Sequence, residues 1–350
     1  MLKKRVRTAA FTLAMSVFAF AAQAQTTVLK VAHFLPPSAP GHKDFIVPWC
    51  EKIESESAGE LKCEIYPAMQ LGGTPQQLFN QARDGVADIV WTLPGYTAGR
   101  FPITEIFELP FITTTHVPSS KAMWDFVQEH ALDEFKGVKL IGTWVNGANQ
   151  LHMRNQPLEK LEDLRGLKIR APSRTGNRIL SSLGATAVGM PVPQMAESLS
   201  RGVIDGALVP WEVLPATKAQ ELTQYHIETQ PGQAMTTATM VYIMNQKTYD
   251  NLPEHLKEVI DNNSGRDVSG WIASRYEQAD EAGRQAALER GNTVIVLSPE
   301  ETARWVEATK PVVDEWIEET NKKGKDGQAM VEQVRALVTK YTEQEQMANN

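Results

Sequence analysis

The chain has 350 residues, of which 42% are hydrophobic and 22% charged, and its formal net charge at pH 7 is −7. This length is sufficient for two α/β lobes, each with a core of its own. The acidic balance disfavours nucleic acid and anionic membrane surfaces as partners, so no nucleic-acid binding is expected.

The first residues predict an export signal. Lys3, Lys4, Arg5 and Arg7 precede the apolar run AAFTLAMSVFAFAA, which ends in the small-x-small pattern AQA that signal peptidase accepts. The run is shorter than the roughly 20 residues of a membrane span. We predict that residues 1–24 are cleaved and that the exported protein is not inserted in the membrane; a retained N-terminal anchor is the alternative. Loss of these four basic residues would take the net charge from −7 to −11.

Strands and helices alternate in the N-terminal half. The segment LKVAHF alternates as a strand, a helix is predicted over residues 42–57 with a kink near Pro48, and LKCEIYP predicts the next strand. Thr74 is placed to cap a further helix, which Gly85 ends. ADIVWT then predicts a short buried strand. This βαβαβ order implies a mainly parallel sheet.

The second half repeats this order. KLIGTWV, LKIRAP and DGALVP predict strands, and the intervening helices end at Gly184 and Gly202. Two junctions match closely: ARDGVADIV, from Ala82, and LSRGVIDGALV, from Leu199, both have a helix end, Gly, Val, one residue, Asp and an apolar strand. The match indicates two lobes of similar architecture, each presenting a strand end to a shared cleft, where ligands of open α/β sheets bind.

The last third is predicted to be helical. One long helix is expected from Pro253 to Arg290, with a weak point at residues 264–265. At 1.5 Å per residue it would reach about 57 Å and span both lobes. A strand, TVIVLS, and two amphipathic helices that separate near residues 324–327 complete the chain.

The only two cysteines are Cys50 and Cys63, on a predicted helix and the strand that follows it. Export would bring both into an oxidising compartment, where packed neighbours could form a disulfide. Two buried thiols are the alternative. No histidine lies at metal-ligand spacing beside either cysteine, so no metal site is expected.

The sequence contains no signature of catalysis. There is no GxSxG elbow, HExxH helix or phosphate loop, and no GxGxxG follows a strand. The seven histidines are scattered along the chain. No cofactor is predicted, and the pattern favours binding without chemistry.

Arg170 is the strongest candidate for a binding residue. It lies at the carboxyl end of the strand LKIR, where a guanidinium pointing into a crevice would suit a carboxylate. A structural salt bridge to Glu162 or Asp163 is the alternative. Trp91 and Trp211 close the two matching strands, where an indole could face a ligand or pack into its own lobe.

Several stretches resemble the substrate-binding proteins of tripartite ATP-independent periplasmic (TRAP) transporters, the DctP-like family. The longest is LEDLRGLKIRAPSRTGNRILSSLGATAVGMPVPQMAESLSRGVIDGA, and LKVAHFLPPSAP, QLGGTPQQLFNQARDGVADIV, FELPF and MNQKTYDNLPEHLKEVI also match, in the family's order. The resemblance covers nearly all of the chain after the signal.

The resemblance implies an α/β fold of two lobes, like a periplasmic binding protein, joined by crossover strands and a long lobe-spanning helix. Residues 25–146 with about 236–272 would form lobe I. Residues 147–235 with about 273–322 would form lobe II, and residues 323–350 a C-terminal helix. The lobes would close on one solute in the periplasm and dock on a membrane permease with a small and a large subunit.

The resemblance also implies site residues. Arg170, in GLKIR, occupies the position that binds the substrate carboxylate in this family. The other residues implied as pocket walls are Trp91, Thr92, Leu93, Val209, Trp211, Met190, His33, Phe34 and Thr239.

Two departures from the family concern the substrate. The run ALVPW is apolar where relatives that take sialic acid or small dicarboxylates often carry polar residues. Some relatives have a second arginine in the region that here reads NGANQLHMRN, where Gln150, Arg154 or neither could serve. We therefore predict a monocarboxylate with a hydrophobic or aromatic body. The alternatives are a uronate or C4-dicarboxylate, a periplasmic lyase or isomerase, and a ligand-loaded partner of a sensor.

Overall fold

The computed structural model describes residues 26–113 and 115–349, so the predicted signal peptide lies outside the described residues. Over these residues the strands are β1 (Thr27–Ala32), β2 (Leu61–Tyr66), β3 (Ile89–Thr92), β4 (Val138–Val145), β5 (Gln150–Met153), β6 (Lys168–Ala171), β7 (Thr186–Gly189), β8 (Gly206–Val209), β9 (Tyr225–Glu228), β10 (Thr239–Asn245) and β11 (Thr293–Val296). The α-helices are α1 (Val47–Glu56), α2 (Leu78–Asp84), α3 (His116–His130), α4 (Arg174–Ser182), α5 (Met195–Ser200), α6 (Val213–Thr217), α7 (Gln246–Asp250), α8 (Glu254–Asn262), α9 (Arg266–Glu289), α10 (Pro299–Asn321) and α11 (Gly327–Asn349).

The strands form two sheets, and each sheet is the centre of one lobe. The first sheet has the order β2-β1-β3-β10-β4, and the second has the order β11-β9-β5-β8-β6-β7. Parallel pairs join β1 to β2 and β3, and β6 to β7 and β8. The described strands confirm the predicted mainly parallel arrangement, with one exception in each sheet: β10 and β5 run antiparallel to both of their neighbours. Each of these two strands enters its sheet directly from the other lobe.

Four segments of the described chain connect the lobes. The chain passes from β4 to β5 through residues 146–149 and returns from β9 to β10 through residues 229–238. The third connection is α9, which packs against α3 and β4 in the first lobe and against α6 and β11 in the second. The fourth leads from α10, which packs against α4 of the second lobe, to α11, which packs against α3 of the first. The connections confirm the two-lobed α/β architecture with crossover strands that the sequence predicted.

The prediction of one helix from Pro253 to Arg290 is wrong. The chain forms two helices, α8 and α9, with a break at residues 263–265. Gly265 adopts a φ of 109°, which a side chain would strain, and its N–H donates to the Ile141 carbonyl at 2.8 Å. The Asn263 carbonyl accepts a hydrogen bond from the Trp49 indole at 2.9 Å. Tertiary contacts thus hold the two helices apart, and of these two helices only α9 packs against both lobes.

The irregularity in the first helix lies just before Pro48. Residues Gly41–Ile46 form a π-helical turn, and α1 follows with Pro48 in its first turn. The two segments form one continuous helix, since Val47 has helical dihedral angles and its N–H donates to the His42 carbonyl, so Pro48 lies where the π-helical turn changes to α-helix. The predicted stop of α2 is confirmed, since Gly85 follows it with a φ of 79°.

Cys50 of α1 and Cys63 of β2 form a disulfide, with Cα atoms 5.7 Å apart. Of the two alternatives left open by the sequence, the structure has the bonded one. The bond fastens α1 to the edge strand of the first sheet.

Replacing both cysteines by alanine should lower the free energy of unfolding by about 3 kcal/mol, because the bond closes a loop of about 15 residues in the unfolded chain. Urea unfolding with and without reductant measures this. Reductant should destabilise the native sequence and leave the double variant unchanged; an equal response of both proteins would contradict the prediction.

Among the described residues, none of the helices combines the length and the apolar character that a transmembrane segment requires.

Candidate ligand-binding site

Arg170 lies at the carboxyl end of β6, and its side chain is buried, with 1% of its surface exposed. Its Nε donates to the Met190 carbonyl and its Nη1 to the Leu208 carbonyl, both at 2.9 Å. The Tyr96 phenol lies beside the guanidinium, but Nη2 makes no hydrogen bond of normal geometry to any described residue. Two carbonyls therefore aim the guanidinium and leave one donor group free.

The predicted alternative of a structural salt bridge to Arg170 is wrong. Glu162 pairs with Arg304, and Asp163 accepts hydrogen bonds from the backbone N–H groups of Glu159 and Lys160. Burial lowers the pKa of Arg170 because it penalises the charged form. An arginine stays protonated even so, and a buried cation with an unpaired donor is costly. No acidic side chain among the described residues forms an ion pair with this guanidinium.

A small enclosed cavity of about 20 Å³ lies at this guanidinium, between the two lobes. It has room for about one water molecule. Four of the predicted site residues line it: Arg170, Phe34, Leu93 and Val209. The sequence analysis missed four polar residues of the lining, which are Tyr96, Asn146, Asn149 and Glu212.

The lobes touch each other around this cavity. Tyr96 Oη, from the first lobe, accepts a hydrogen bond from the Val192 N–H of the second at 3.1 Å. Glu105 of the first lobe pairs with Arg174 of the second, with 2.9 Å between Oε2 and Nη2. The structure is therefore closed. A ring of six carbon atoms needs more room than one water molecule, so such a ligand enters only if the lobes separate.

The two tryptophans that were predicted to face the ligand lie outside the lining of this cavity. The Trp91 ring lies behind Phe34, with 5.0 Å between the ring centroids. The Trp211 indole donates to Glu228 Oε1 at 2.9 Å, and its ring packs on His152 at 4.9 Å. Both indoles belong to the interior of their own lobe.

Neither Gln150 nor Arg154 lines the cavity; Asn149 does. Arg154 lies at the far end of β5, where its N–H donates to the Asp205 carbonyl at 2.9 Å. Asn149 lies in the crossover that precedes β5 and is buried, with 1% exposure. Its Oδ1 accepts a hydrogen bond from Asn146 Nδ2 at 3.4 Å, while its Nδ2 has no partner among the described residues.

The remaining predicted residues also lie outside the lining. Met190 contributes its carbonyl to Arg170 rather than its side chain to the wall. Thr92 is buried in β3. His33 Nε2 lies 2.9 Å from His42 Nδ1, and burial together with that neighbour lowers the pKa of His33 to about 3, so the ring is neutral. Thr239 bonds to Glu108 instead of facing the cavity.

Comparison with known proteins identifies the family. The family described as bacterial extracellular solute-binding protein, family 7 (DctP), matches residues 31–320. The chain belongs to this family. The predicted resemblance to the DctP-like proteins of TRAP transporters is confirmed.

Three solved structures of TRAP solute-binding proteins are similar to this one. A protein from Rhodoferax ferrireducens, in complex with copurified benzoate, is 44% identical with a TM-score of 0.89, covering 91% of this chain and 99% of that chain. A marine metagenome protein specific for aromatic acid ligands, with 3-hydroxybenzoate, is 40% identical with a TM-score of 0.89 and the same coverage. A protein from Bordetella bronchiseptica with bound mandelate is 27% identical with a TM-score of 0.84, covering 90% of this chain and 99% of that chain.

A second buried carboxyl lies where the lobes of this solute-binding protein meet. Glu108 Oε1 accepts hydrogen bonds from the Thr239 hydroxyl at 2.8 Å and the Thr239 N–H at 3.2 Å. Burial, and next the charge of Glu105, raise the pKa of Glu108 to about 7, although hydrogen bonds from Ser173 and Thr239 act in the opposite direction. Ser173 belongs to the second lobe, so this carboxyl links the two.

Glu108 should make the closed protein less stable as the pH rises. The unfolded carboxyl ionises near pH 4.5, whereas the folded one stays protonated up to about pH 7. Between these values the folded state holds the extra proton, so stability falls by up to about 1.4 kcal/mol per pH unit. Glu108→Gln removes this titration, and its stability relative to the native protein should increase from pH 4.5 to pH 7. Urea unfolding across this range measures the difference, and a pH-independent difference would contradict it.

Proposed function

We propose that this protein is the periplasmic receptor of a TRAP transporter for a monocarboxylic acid with an aromatic body. The observation that carries the proposal is the buried guanidinium of Arg170, which forms no ion pair with a described residue and lies at a cavity between the lobes. The aromatic acids bound by the three similar proteins support the same class of ligand.

The carboxylate would bind two donors that the protein leaves free. Arg170 Nη2 and Asn149 Nδ2 both belong to residues that line the cavity, and neither makes a hydrogen bond of normal geometry to a described residue, although the Tyr96 phenol lies beside the guanidinium. A carboxylate has acceptor sites for both, and hydrogen bonds to a charged acceptor are about twice as strong as neutral ones. Arg170 belongs to the second lobe and Asn149 to the crossover between β4 and β5. The carboxylate would therefore contact both the second lobe and the segment that connects it to the first.

The rest of the cavity suits an apolar body with a single charge. Phe34, Leu93, Val209 and Met240 provide apolar walls. Arg170 is the only lysine or arginine among the described residues that line the cavity. One carboxylate would neutralise it, whereas a second carboxylate would be buried without a counter-ion.

The proposal includes delivery to a membrane permease with a small and a large subunit, and membership of the family and the contact between the lobes support it. Closure presents a different surface from the open form, and a ligand favours the closed form only if it contacts both lobes. The predicted signal peptide, residues 1–24, would place this receptor in the periplasm.

A binding screen tests the proposal. Protein lacking residues 1–24 is titrated by calorimetry with benzoate, mandelate, glucuronate and succinate, and the ligand is then recovered and identified by mass spectrometry. We expect one equivalent of an aromatic acid to bind and to be returned unchanged. Turnover of an excess would show an enzyme. Binding of glucuronate or succinate in preference to both aromatic acids would contradict the proposed ligand class.

A further inference from the structure

Glu212 is a buried carboxylic acid in the wall of the cavity. It follows β8 by three residues and is 2% exposed. On one side it lines the enclosed cavity, and on the other it lines an open cleft of about 440 Å³ along α9. Its backbone N–H donates to Asp280 Oδ1 at 2.8 Å. In the described part of the chain, no hydrogen bond or ion pair reaches its carboxyl group.

Burial favours the protonated form of the Glu212 carboxyl. Burial, and next the charge of Asp280, raise its pKa well above the ordinary value. The acid also lies within electrostatic reach of the Tyr96 hydroxyl, which lines the same cavity, since a charge on Glu212 contributes to the raised pKa of that phenol. A neutral carboxyl presents an O–H donor and a C=O acceptor.

Arg170 and Glu212 give the cavity two different polar groups. The guanidinium donates to the Met190 and Leu208 carbonyls. Among the described residues, no hydrogen bond or ion pair joins it to Glu212. The cationic group would take the carboxylate of a ligand. Apolar walls lie around both groups. Glu212 would therefore be the group that forms a hydrogen bond with a polar substituent on the ligand body.

We propose that Glu212 is a specificity-determining residue that forms a hydrogen bond with a hydroxyl group on the body of the ligand, so that hydroxylated aromatic acids bind best. This inference rests on the proposed function. A ligand hydroxyl can donate a hydrogen bond to the Glu212 carboxyl in either protonation state of that acid. A site that hydrogen-bonds a hydroxyl discriminates strongly against the analogue that lacks it. Water from the adjoining cleft is the competing partner of Glu212.

Calorimetry with benzoate and with 2-, 3- and 4-hydroxybenzoate tests this proposal on the native protein and on Glu212→Leu. At least one hydroxybenzoate should bind to the native protein about tenfold more tightly than benzoate does. In Glu212→Leu this ratio should fall below about twofold. Glu212→Gln should keep part of the preference, because an amide also donates and accepts.

The controls separate this inference from the function on which it rests. Glu307→Leu, at an exposed site on α10, should behave like the native protein. Glu212→Met provides a second apolar replacement, and melting curves verify that each variant is folded. An unchanged hydroxyl preference in Glu212→Leu or Glu212→Met, or no preference in the native protein, would overturn the role of Glu212. Failure of all four acids to bind to the native protein would instead overturn the proposed aromatic ligand.

Discussion

Replacement of Arg170 by methionine should weaken the binding of benzoate by about 100-fold or more. The guanidinium is buried and has two backbone carbonyls that hold its orientation, so a carboxylate on Nη2 would form a fully desolvated charge pair. Removal of one partner of such a pair costs about 2–5 kcal/mol or more, because the other charge is left buried and unpaired. Calorimetry on the native and variant proteins gives the two dissociation constants.

Without ligand, the free energy of unfolding of Arg170→Met should be at most about 1 kcal/mol below that of the native protein. Methionine removes a buried charge that has no counter-ion, and such replacements are often neutral or stabilising. The loss of donors to the Met190 and Leu208 carbonyls acts in the opposite direction.

Arg154→Met is the matched control for Arg170→Met. Arg154 lies at the opposite end of the second sheet and outside the cavity, so its replacement should leave benzoate affinity unchanged. Equal affinities of the native protein and Arg170→Met would contradict the carboxylate role of Arg170.

The cavity should select ligands that carry one negative charge. Benzamide has the shape of benzoate without its charge, and isophthalate adds a second carboxylate to the ring. Each should bind at least about 100-fold more weakly than benzoate. The amide leaves the Arg170 cation unpaired, while the second carboxylate of isophthalate has no cation to meet in the described lining.

Competition against bound benzoate measures both affinities under one condition. Comparable binding of benzamide would mean that ring contacts rather than charge dominate. Comparable binding of isophthalate would mean that a second cation reaches the site when the lobes open. Either result would contradict the single-charge account.

The fold could be predicted from local signals because most of them act within a few residues. Glycine ends α2 at Gly85, and the strands around it follow the apolar pattern. The sequence indicated the break at Gly265 only as a weak point in a helix. The contacts with Trp49 and Ile141, which show that the helix ends there, are tertiary and cannot be inferred from the local sequence. The antiparallel direction of β5 and β10 could not be predicted, because each strand reaches its sheet through a crossover from the other lobe and no local sequence pattern indicates such a crossover.

Arg170 could be predicted because its position at a strand end and its chemistry agree. The tryptophans could not be assigned in the same way. All four residues of β3 are buried, so alternation along the strand does not tell which side Trp91 faces. Asn149 lies in a four-residue crossover without periodicity, and the sequence pointed to its neighbour Gln150 instead. For Glu212 a signal existed: it is the single acid in the apolar run ALVPWEVLP.

The most direct test of a carboxylate receptor built on Arg170 is a crystal structure of the protein, without residues 1–24, in complex with benzoate or 3-hydroxybenzoate. The carboxylate should lie within hydrogen-bonding distance of Arg170 Nη2 and Asn149 Nδ2, with the ring between Phe34 and Val209. A ligand whose carboxylate binds elsewhere, while Arg170 Nη2 stays unpaired, would contradict the account.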